Sequence, residues 1–260
     1  MSKSKLYLGI NSAAKILISI SPLHKKLVLL EYPKSGGTWI AGLISSSTSF
    51  DFTEGLPNFY CQNHLIHTHR PSLVRFAFRI AYKVLLVRNP FDTYISLYYH
   101  CLFLNGKGNN VLVDSVRNSM KDAFQPEDFS YSFLNFLNLL FAGRFKYLTN
   151  WSSFYERIDP DLFYVLRYED LWDDPIRHLE TMFASLNLEC DILKLSIASS
   201  TSRSQILAAR QSFDSSQAQL ADIVSFQRRG GYGGWKDILD DSHISLIYNA
   251  SSKVMGKFGY

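Results

Sequence analysis

Short apolar runs recur along the chain at 27–31 (Leu27-Val28-Leu29-Leu30-Glu31), 82–87 and 162–167, nearly continuous rather than alternating. Strands covered on both faces of a parallel sheet read this way. Helix-period patterns lie between and after them. One spans Thr93 to Phe103, a long one runs from Ser132 to about Ile158, and another starts at Pro175 behind Asp173 and Asp174. The alternation predicts one α/β domain over 1–260, with a central, mostly parallel sheet flanked by helices and ligands held beyond the carboxyl ends of the strands. Residues 105–130 begin polar and glycine-containing and show no clear period, so a mobile substrate loop is expected there. At the N-terminus a basic start and fairly apolar residues 6–20 are interrupted by Asn11, Lys15 and Pro22. Residues 1–26 therefore read as an amphipathic helical extension, not as a signal peptide or an integral membrane span.

Composition narrows the classes. With 47% hydrophobic and 19% charged residues the chain is a folded domain rather than a disordered one. Its 15% aromatic content suits a pocket for an apolar or ring-bearing ligand, and aromatic core packing accounts for it equally well. A net charge of +4 without a Lys/Arg stripe fits a small anionic ligand better than a nucleic-acid backbone, so no nucleic-acid partner is expected. The cysteines (Cys61, Cys101, Cys190) are odd in number and lack metal spacing, which points to a reducing compartment, the cytoplasm.

The first strand runs into Tyr32-Pro33-Lys34-Ser35-Gly36-Gly37-Thr38-Trp39 and then a helix-like run. A strand, a glycine loop and a helix N-terminus read as a P-loop-like phosphate socket, where free N–H groups and the positive end of the helix dipole face the anion, or else as a glycine-rich turn with a solvated lysine. Gly36 and Gly37 can take positive φ, Lys34 brings a charge, and Ser35 and Thr38 bring hydroxyls. In an NTPase loop the lysine would follow the glycines; here it precedes them.

Three further segments carry chemistry. Arg88-Asn89-Pro90-Phe91-Asp92 repeats the strand–turn–helix layout, with Ser96 eight residues after Arg88. A guanidinium there can grip a phosphate or pair with a nearby acid, and Asp92 can cap the helix. Arg228-Arg229-Gly230-Gly231-Tyr232-Gly233-Gly234-Trp235-Lys236 is either a flexible surface loop or a backbone nest flanked by guanidiniums that clamps an anion. His64, His67 and His69 lie within six residues, but their spacing fits no common zinc frame, so no metal is expected. A neutral imidazole acting as general base suits His69 better, beside the alternative of a histidine hydrogen-bonded in a loop.

Together these segments resemble the PAPS-dependent sulfotransferase family of cytosolic and bacterial type. YPKSGGTW at 32–39 is similar to its 5′-phosphosulfate loop, where threonine more often stands at Gly37. RNPFDTYIS at 88–96 is similar to its 3′-phosphate motif, RRGGYGGWK at 228–236 to its C-terminal glycine segment, and THRP at 68–71 to the segment carrying its base. The resemblance implies PAPS as sulfuryl donor, with Lys34, Ser35, Gly36, Gly37, Thr38 and Trp39 on the 5′-phosphosulfate and Trp39 stacking on adenine. It implies Arg88, Ser96, Arg228, Arg229 and Gly230 on the 3′-phosphate, and Tyr168 and Thr201 as nucleotide contacts. His69 would be the base, and Lys34, with a protonated His67, would stabilise the sulfuryl group. The family has lysine at His67, an aromatic residue at Arg203 and aspartate at Gly234. Its C-terminal dimer signature is not recognisable after Lys236.

The implied reaction is metal-free in-line transfer to a hydroxyl, or less readily an amine, of a small-molecule, glycoside or natural-product acceptor. Phe59, Tyr60, Tyr99 and Phe103 are aromatic candidates for the acceptor pocket. Two rival classes remain at this stage. A nucleotide-kinase-type phosphoryl transferase predicts dependence on Mg²⁺ and ATP. A non-catalytic adenosine-bisphosphate-binding module predicts nucleotide binding without turnover.

Overall fold

In chain order the elements are β1 (Lys25–Glu31), α1 (Gly37–Ser47), β2 (Asp51–Phe52), β3 (Asn63–Thr68), α2 (Pro71–Ala77) and β4 (Tyr82–Val87). These are followed by α3 (Pro90–Leu102), α4 (Val111–Met120), α5 (Phe129–Phe141), α6 (Trp151–Tyr155) and β5 (Tyr164–Arg167). The last helices are α7 (Tyr168–Asp173), α8 (Pro175–Ser185), α9 (Ile192–Phe213) and α10 (Asp241–Lys257). The structure is a computed structural model that describes residues 25–52, 62–77, 81–103, 110–213 and 231–260. Two units divide the chain: Met1–Val87 with Ile158–Arg203, and Arg88–Arg157 with Ser204–Tyr260.

The first unit carries a five-stranded sheet in the order β2-β3-β1-β4-β5, with every pairing parallel. Leu27 to Leu30 of β1 are completely buried, the burial on both faces that the continuous apolar run predicts. Lys25 and Lys26, expected in the N-terminal extension, already belong to β1, and residues 1–24 of that extension lie outside the described residues. β5 starts at Tyr164, later than the expected 162, because Asp159 caps a 3₁₀ turn over Pro160–Leu162. β3 is a strand that the apolar pattern did not reveal, since polar histidines break its run. Its pairing sets Leu27 against Leu65 and Leu29 against His67. Because side chains alternate across a strand, Leu27, Leu29 and Glu31 share one face, and His64 falls on the face opposite to His67. Leu27, Leu29, Leu65, Val84, Leu86 and Leu166 build one core with Ile40 and Ile44 of α1 and Leu179 and Phe183 of α8. Each such side chain contributes about 1.5–3 kcal/mol by leaving water. Toward the carboxyl ends of the strands this face turns polar, at Glu31 and His67.

The second unit is helical. Asn89 caps α3 by accepting the Phe91 N–H at 2.9 Å, and Pro90 sits in the first turn, so this helix starts three residues before the expected Thr93. The single helix expected over 132–158 is two. Gly143, at φ 68°, ends the first, with the Arg144 N–H donating to the Leu139 carbonyl at 2.9 Å. Asn150 then caps α6 by accepting the Ser153 N–H at 2.8 Å. Within the stretch 105–130, residues 111–120 form α4 behind an Asn110 cap, and residues 104–109 lie outside the described residues. Tyr94, Tyr98, Phe133, Phe136, Trp151 and Tyr155 are fully buried. The Tyr94 hydroxyl accepts the Trp151 N–H at 3.0 Å, and burial raises its pKa well above the usual phenol value. Buried His243 donates from Nε2 to the Ser130 carbonyl at 3.0 Å and belongs to the capping box at the start of α10. Among the described residues no helix is long and apolar enough to cross a membrane.

Candidate active site

The loop between β1 and α1 takes its shape from two left-handed residues, Lys34 at φ 73° and Gly36 at φ 102°. Of the two glycines expected to supply positive φ, only Gly36 does; Gly37 already belongs to the helix. The Gly36 carbonyl accepts the N–H groups of Trp39 at 3.1 Å and Ile40 at 3.2 Å, which starts α1. A Cβ at Gly36 would stand 2.6 Å from two carbons of the Tyr168 ring, so the loop and the start of α7 fit only with glycine there. Gly37 is needed for space. A Cβ on it would meet the Glu31 carboxylate and His67 Nε2 at 2.5 Å. Ser35 is fully buried, and its hydroxyl has no hydrogen-bond partner among the described residues. A buried donor left over in a loop of this shape matches an anionic ligand, since leaving it unsatisfied is costly. Thr38 is exposed on the first turn of α1.

Glu31, buried at the end of β1, organises the histidines. One carboxylate oxygen, Oε2, accepts the Gly37 N–H at 2.6 Å; the other, Oε1, accepts from His67 Nε2 at 2.8 Å. The Glu31 backbone carbonyl lies 3.1 Å from His69 Nδ1. A carbonyl can only accept, so the proton of the His69 ring sits on Nδ1 and the lone pair on Nε2. The two rings meet edge to face with centroids 4.9 Å apart. Burial holds the His69 pKa below the ordinary histidine value; the Glu31 charge pulls the other way, while His67 and Lys34 add to the lowering. The His69 side chain nevertheless keeps 43% of its surface open to solvent, which moderates the shift and leaves the ring accessible. Glu31, His67 and His69 have the ligand types of a metal site. A cation held through His69 Nδ1 would have to displace the proton that this nitrogen gives the Glu31 carbonyl.

Tyr168, Trp39 and Trp172 form an aromatic cluster in the same unit. Trp39 packs at 5.9 Å on Tyr168 and at 5.5 Å on Trp172, and Tyr168 stacks on Trp172 at 6.2 Å. The Arg203 guanidinium covers Trp172 at 5.2 Å, so at the position where the expected family pattern has an aromatic residue, a cation stacks instead. Trp39 Nε1 donates to Ser202 Oγ at 3.0 Å, while Thr201 beside it is exposed. Glu31, Trp172 and Ser202 were not among the residues read from sequence. Glu31 had a signal, a carboxylate closing an otherwise apolar strand, and Trp172 stands one helical turn after Tyr168.

In the second unit, two distant motifs come together. Arg88 Nη2 donates to the Gly231 carbonyl at 3.1 Å, and the Gly233 N–H donates to Asp92 Oδ2 at 2.8 Å. Phe91 stacks on Trp235 at 4.5 Å. Asp92, read as a helix cap, holds the glycine segment instead, because Asn89 occupies the cap. Ser96 is buried farther along α3. Arg228, Arg229, Gly230, Phe59 and Tyr60 lie outside the described residues. Of the aromatic acceptor candidates, Tyr99 is buried in the helical core against Phe129, and Phe103 packs on Phe124.

A parallel sheet with a glycine loop at the carboxyl end of its central strand, and a buried acid contacting two imidazoles beside it, defines an α/β protein of the kind that holds ligands beyond its strand ends. A family model of the sulfotransferase domain matches residues 60–259, and the chain belongs to that family. That match begins after the loop at 32–39. Solved structures extend the likeness over nearly the whole chain. A mouse sulfotransferase, SULT7A1, complexed with PAP is 17% identical, with TM-score 0.57 over 95% of this chain and 91% of that one. Retinol dehydratase in complex with androsterone and inactive cofactor PAP is 15% identical, with TM-score 0.55 over 96% of this chain and 85% of that one. These likenesses are of fold. No curated protein matches the chain in sequence.

Proposed function

We propose that this sulfotransferase moves the sulfuryl group of PAPS to a hydroxyl of a small-molecule, glycoside or natural-product acceptor, with His69 as base. The observation that carries the reading is the 3.1 Å contact of His69 Nδ1 with the Glu31 carbonyl. The ring's Nδ1–H is spent on the Glu31 carbonyl, its Nε2 keeps the lone pair, and its lowered pKa keeps the ring neutral near pH 7. PAP in two solved sulfotransferase-fold proteins supports the donor. The unpartnered Ser35 hydroxyl supports a phosphosulfate at the loop.

His69 Nε2 takes the acceptor's hydroxyl proton as the oxygen–sulfur bond forms and the bond from sulfur to the 5′-phosphate breaks. Lys34 and the loop amides meet the charge growing on the departing phosphate, and His67 assists Lys34 at the sulfuryl group. Trp39 and Tyr168 hold the adenine, with Thr201 as a further nucleotide contact. Arg88, Ser96, Arg228, Arg229 and Gly230 hold the 3′-phosphate. PAPS supplies the sulfuryl group and the chain supplies position and electrostatics, a division that needs no metal. Scattered cysteines, Cys101 and Cys190 among them free thiols, support a reducing cytoplasm as the compartment.

The test is transfer of labelled sulfate from PAPS onto a panel of phenols, glycosides and sterol-like alcohols, with and without EDTA. Label should appear on at least one acceptor and survive EDTA. No label, together with no thermal shift from PAP, would sink the reading.

A further inference from the structure

We infer that Glu31 is a positioning residue for the transfer: its side chain sets His67 and its main chain sets His69. The inference rests on the proposed roles of those histidines. Glu31 Oε1 accepts from His67 Nε2 at 2.8 Å, which leaves Nδ1 as the ring nitrogen that can meet a ligand. The Glu31 carbonyl takes His69 Nδ1–H at 3.1 Å, which leaves Nε2. One residue thus turns two adjacent imidazoles in opposite senses, presenting Nδ1 of one and Nε2 of the other. Its second carboxylate oxygen is fixed by the Gly37 N–H at 2.6 Å, so the carboxylate cannot rotate away without breaking a bond to the phosphosulfate loop.

The arrangement also accounts for two departures from the family pattern together. Where the family has lysine this chain has His67, and where it has threonine this chain has Gly37. A Cβ at position 37 would stand 2.5 Å from both the Glu31 carboxylate and His67 Nε2. Glycine at 37, glutamate at 31 and histidine at 67 therefore work as a set. An imidazole is shorter than a lysine side chain and has two distinguishable nitrogens, so it needs a partner to fix which one faces the reaction. Glu31 is that partner, buried and held in place by the Gly37 N–H.

The test uses the full chain with PAPS and the best acceptor from the panel. Glu31→Gln keeps the shape and removes the charge. It should lower kcat about 10- to 100-fold, as loss of an orienting partner of a working histidine does, with PAP affinity changed far less. In a His67→Ala background the same change should cost little more, because the partner it acts on is gone. Equal losses in both backgrounds, or unchanged kcat in Glu31→Gln, would overturn the inference. The ¹⁵N resonances of the His67 ring give a readout independent of turnover. They should move in Glu31→Gln, and unmoved resonances would count against Glu31 even in an active enzyme. A wild-type chain that transfers no label from PAPS would instead fail the sulfotransfer reading, and the ring resonances decide on the side-chain contact either way.

Discussion

The Glu31 carboxylate and the Gly37 amide share a hydrogen bond of 2.6 Å that ties the end of β1 to the first turn of α1 across the loop between them. The Glu31 carboxylate and His67 Nε2, each 2.5 Å from where a Cβ would stand, leave no room for a side chain at position 37, so Gly37→Thr should destabilise the fold by about 1–3 kcal/mol through overpacking. A Glu31→Ala background removes one of these two obstacles and leaves His67 without its carboxylate partner, so the double variant should melt higher than the two single losses predict. Thermal melts of the four proteins check this. Strictly additive losses would show that the two positions do not compete.

Gly36 behaves differently, because two constraints act on it at once. Its φ of 102° strains any other residue, and the Tyr168 ring fills the space a Cβ would take. Gly36→Ala should therefore cost more than about 1 kcal/mol, and PAP affinity should fall with it. Tyr168→Ala in the same chain removes the steric term and leaves the backbone term, so only part of the loss should return. Thermal melts of the single and double variants, each compared with its own Tyr168 parent, measure the recovery, since Tyr168 is itself proposed to hold the adenine. Full recovery in the double variant would mean that the backbone strain is negligible.

The pH dependence follows from the direction of the His69 shift. Burial lowers its pKa first of all, and the Glu31 charge offsets only part of that. A base must be neutral to accept a proton, and a lowered pKa keeps it neutral to lower pH. With His69 as the proposed base, activity should be present above that value and be lost as pH falls through it, with the acid limb of kcat/KM below about 6.5, the ordinary histidine value. His69→Ala should lower kcat by about 100-fold or more and flatten that limb. A limb unchanged in the variant would assign the titration to another group.

The sequence made the sheet and the loop legible through local signals. Leu27–Leu30 and Val84–Val87 are apolar runs of strand length, and the loop's glycines and lysine stand where a strand meets a helix. β3 escaped because His64 and His67 interrupt its apolar pattern. Its strand character comes from pairing with β1, a long-range contact that no local window contains. The same pairing separates His64 from His67 and brings Glu31 to the histidines, so the organising acid was visible as a residue but not as a partner. The break at Gly143 was readable in principle, as a glycine followed by a polar stretch. The strong apolar pattern on both sides of it masked the stop.

Arg88 offers a test in which chemistry and structure separate. Its guanidinium already donates to the Gly231 carbonyl at 3.1 Å, so it supports the glycine segment as well as facing the proposed 3′-phosphate. Loss of a charge-assisted hydrogen bond costs about 1.5–3 kcal/mol, roughly 10- to 150-fold in affinity. Arg88→Ala should lower the affinity for PAP by that factor and leave the affinity for AMP, which lacks the 3′-phosphate, much less changed. The preference for PAP over AMP should therefore collapse. Asp92→Ala is the control, since Asp92 holds Gly233 through its N–H at 2.8 Å and carries the wrong charge to bind phosphate. If the segment's order alone mattered, Asp92→Ala would lower the preference for PAP over AMP as far as Arg88→Ala does. A loss of that preference much larger in Arg88→Ala than in Asp92→Ala would support the guanidinium on the 3′-phosphate, because both variants loosen the segment and only one removes the charge.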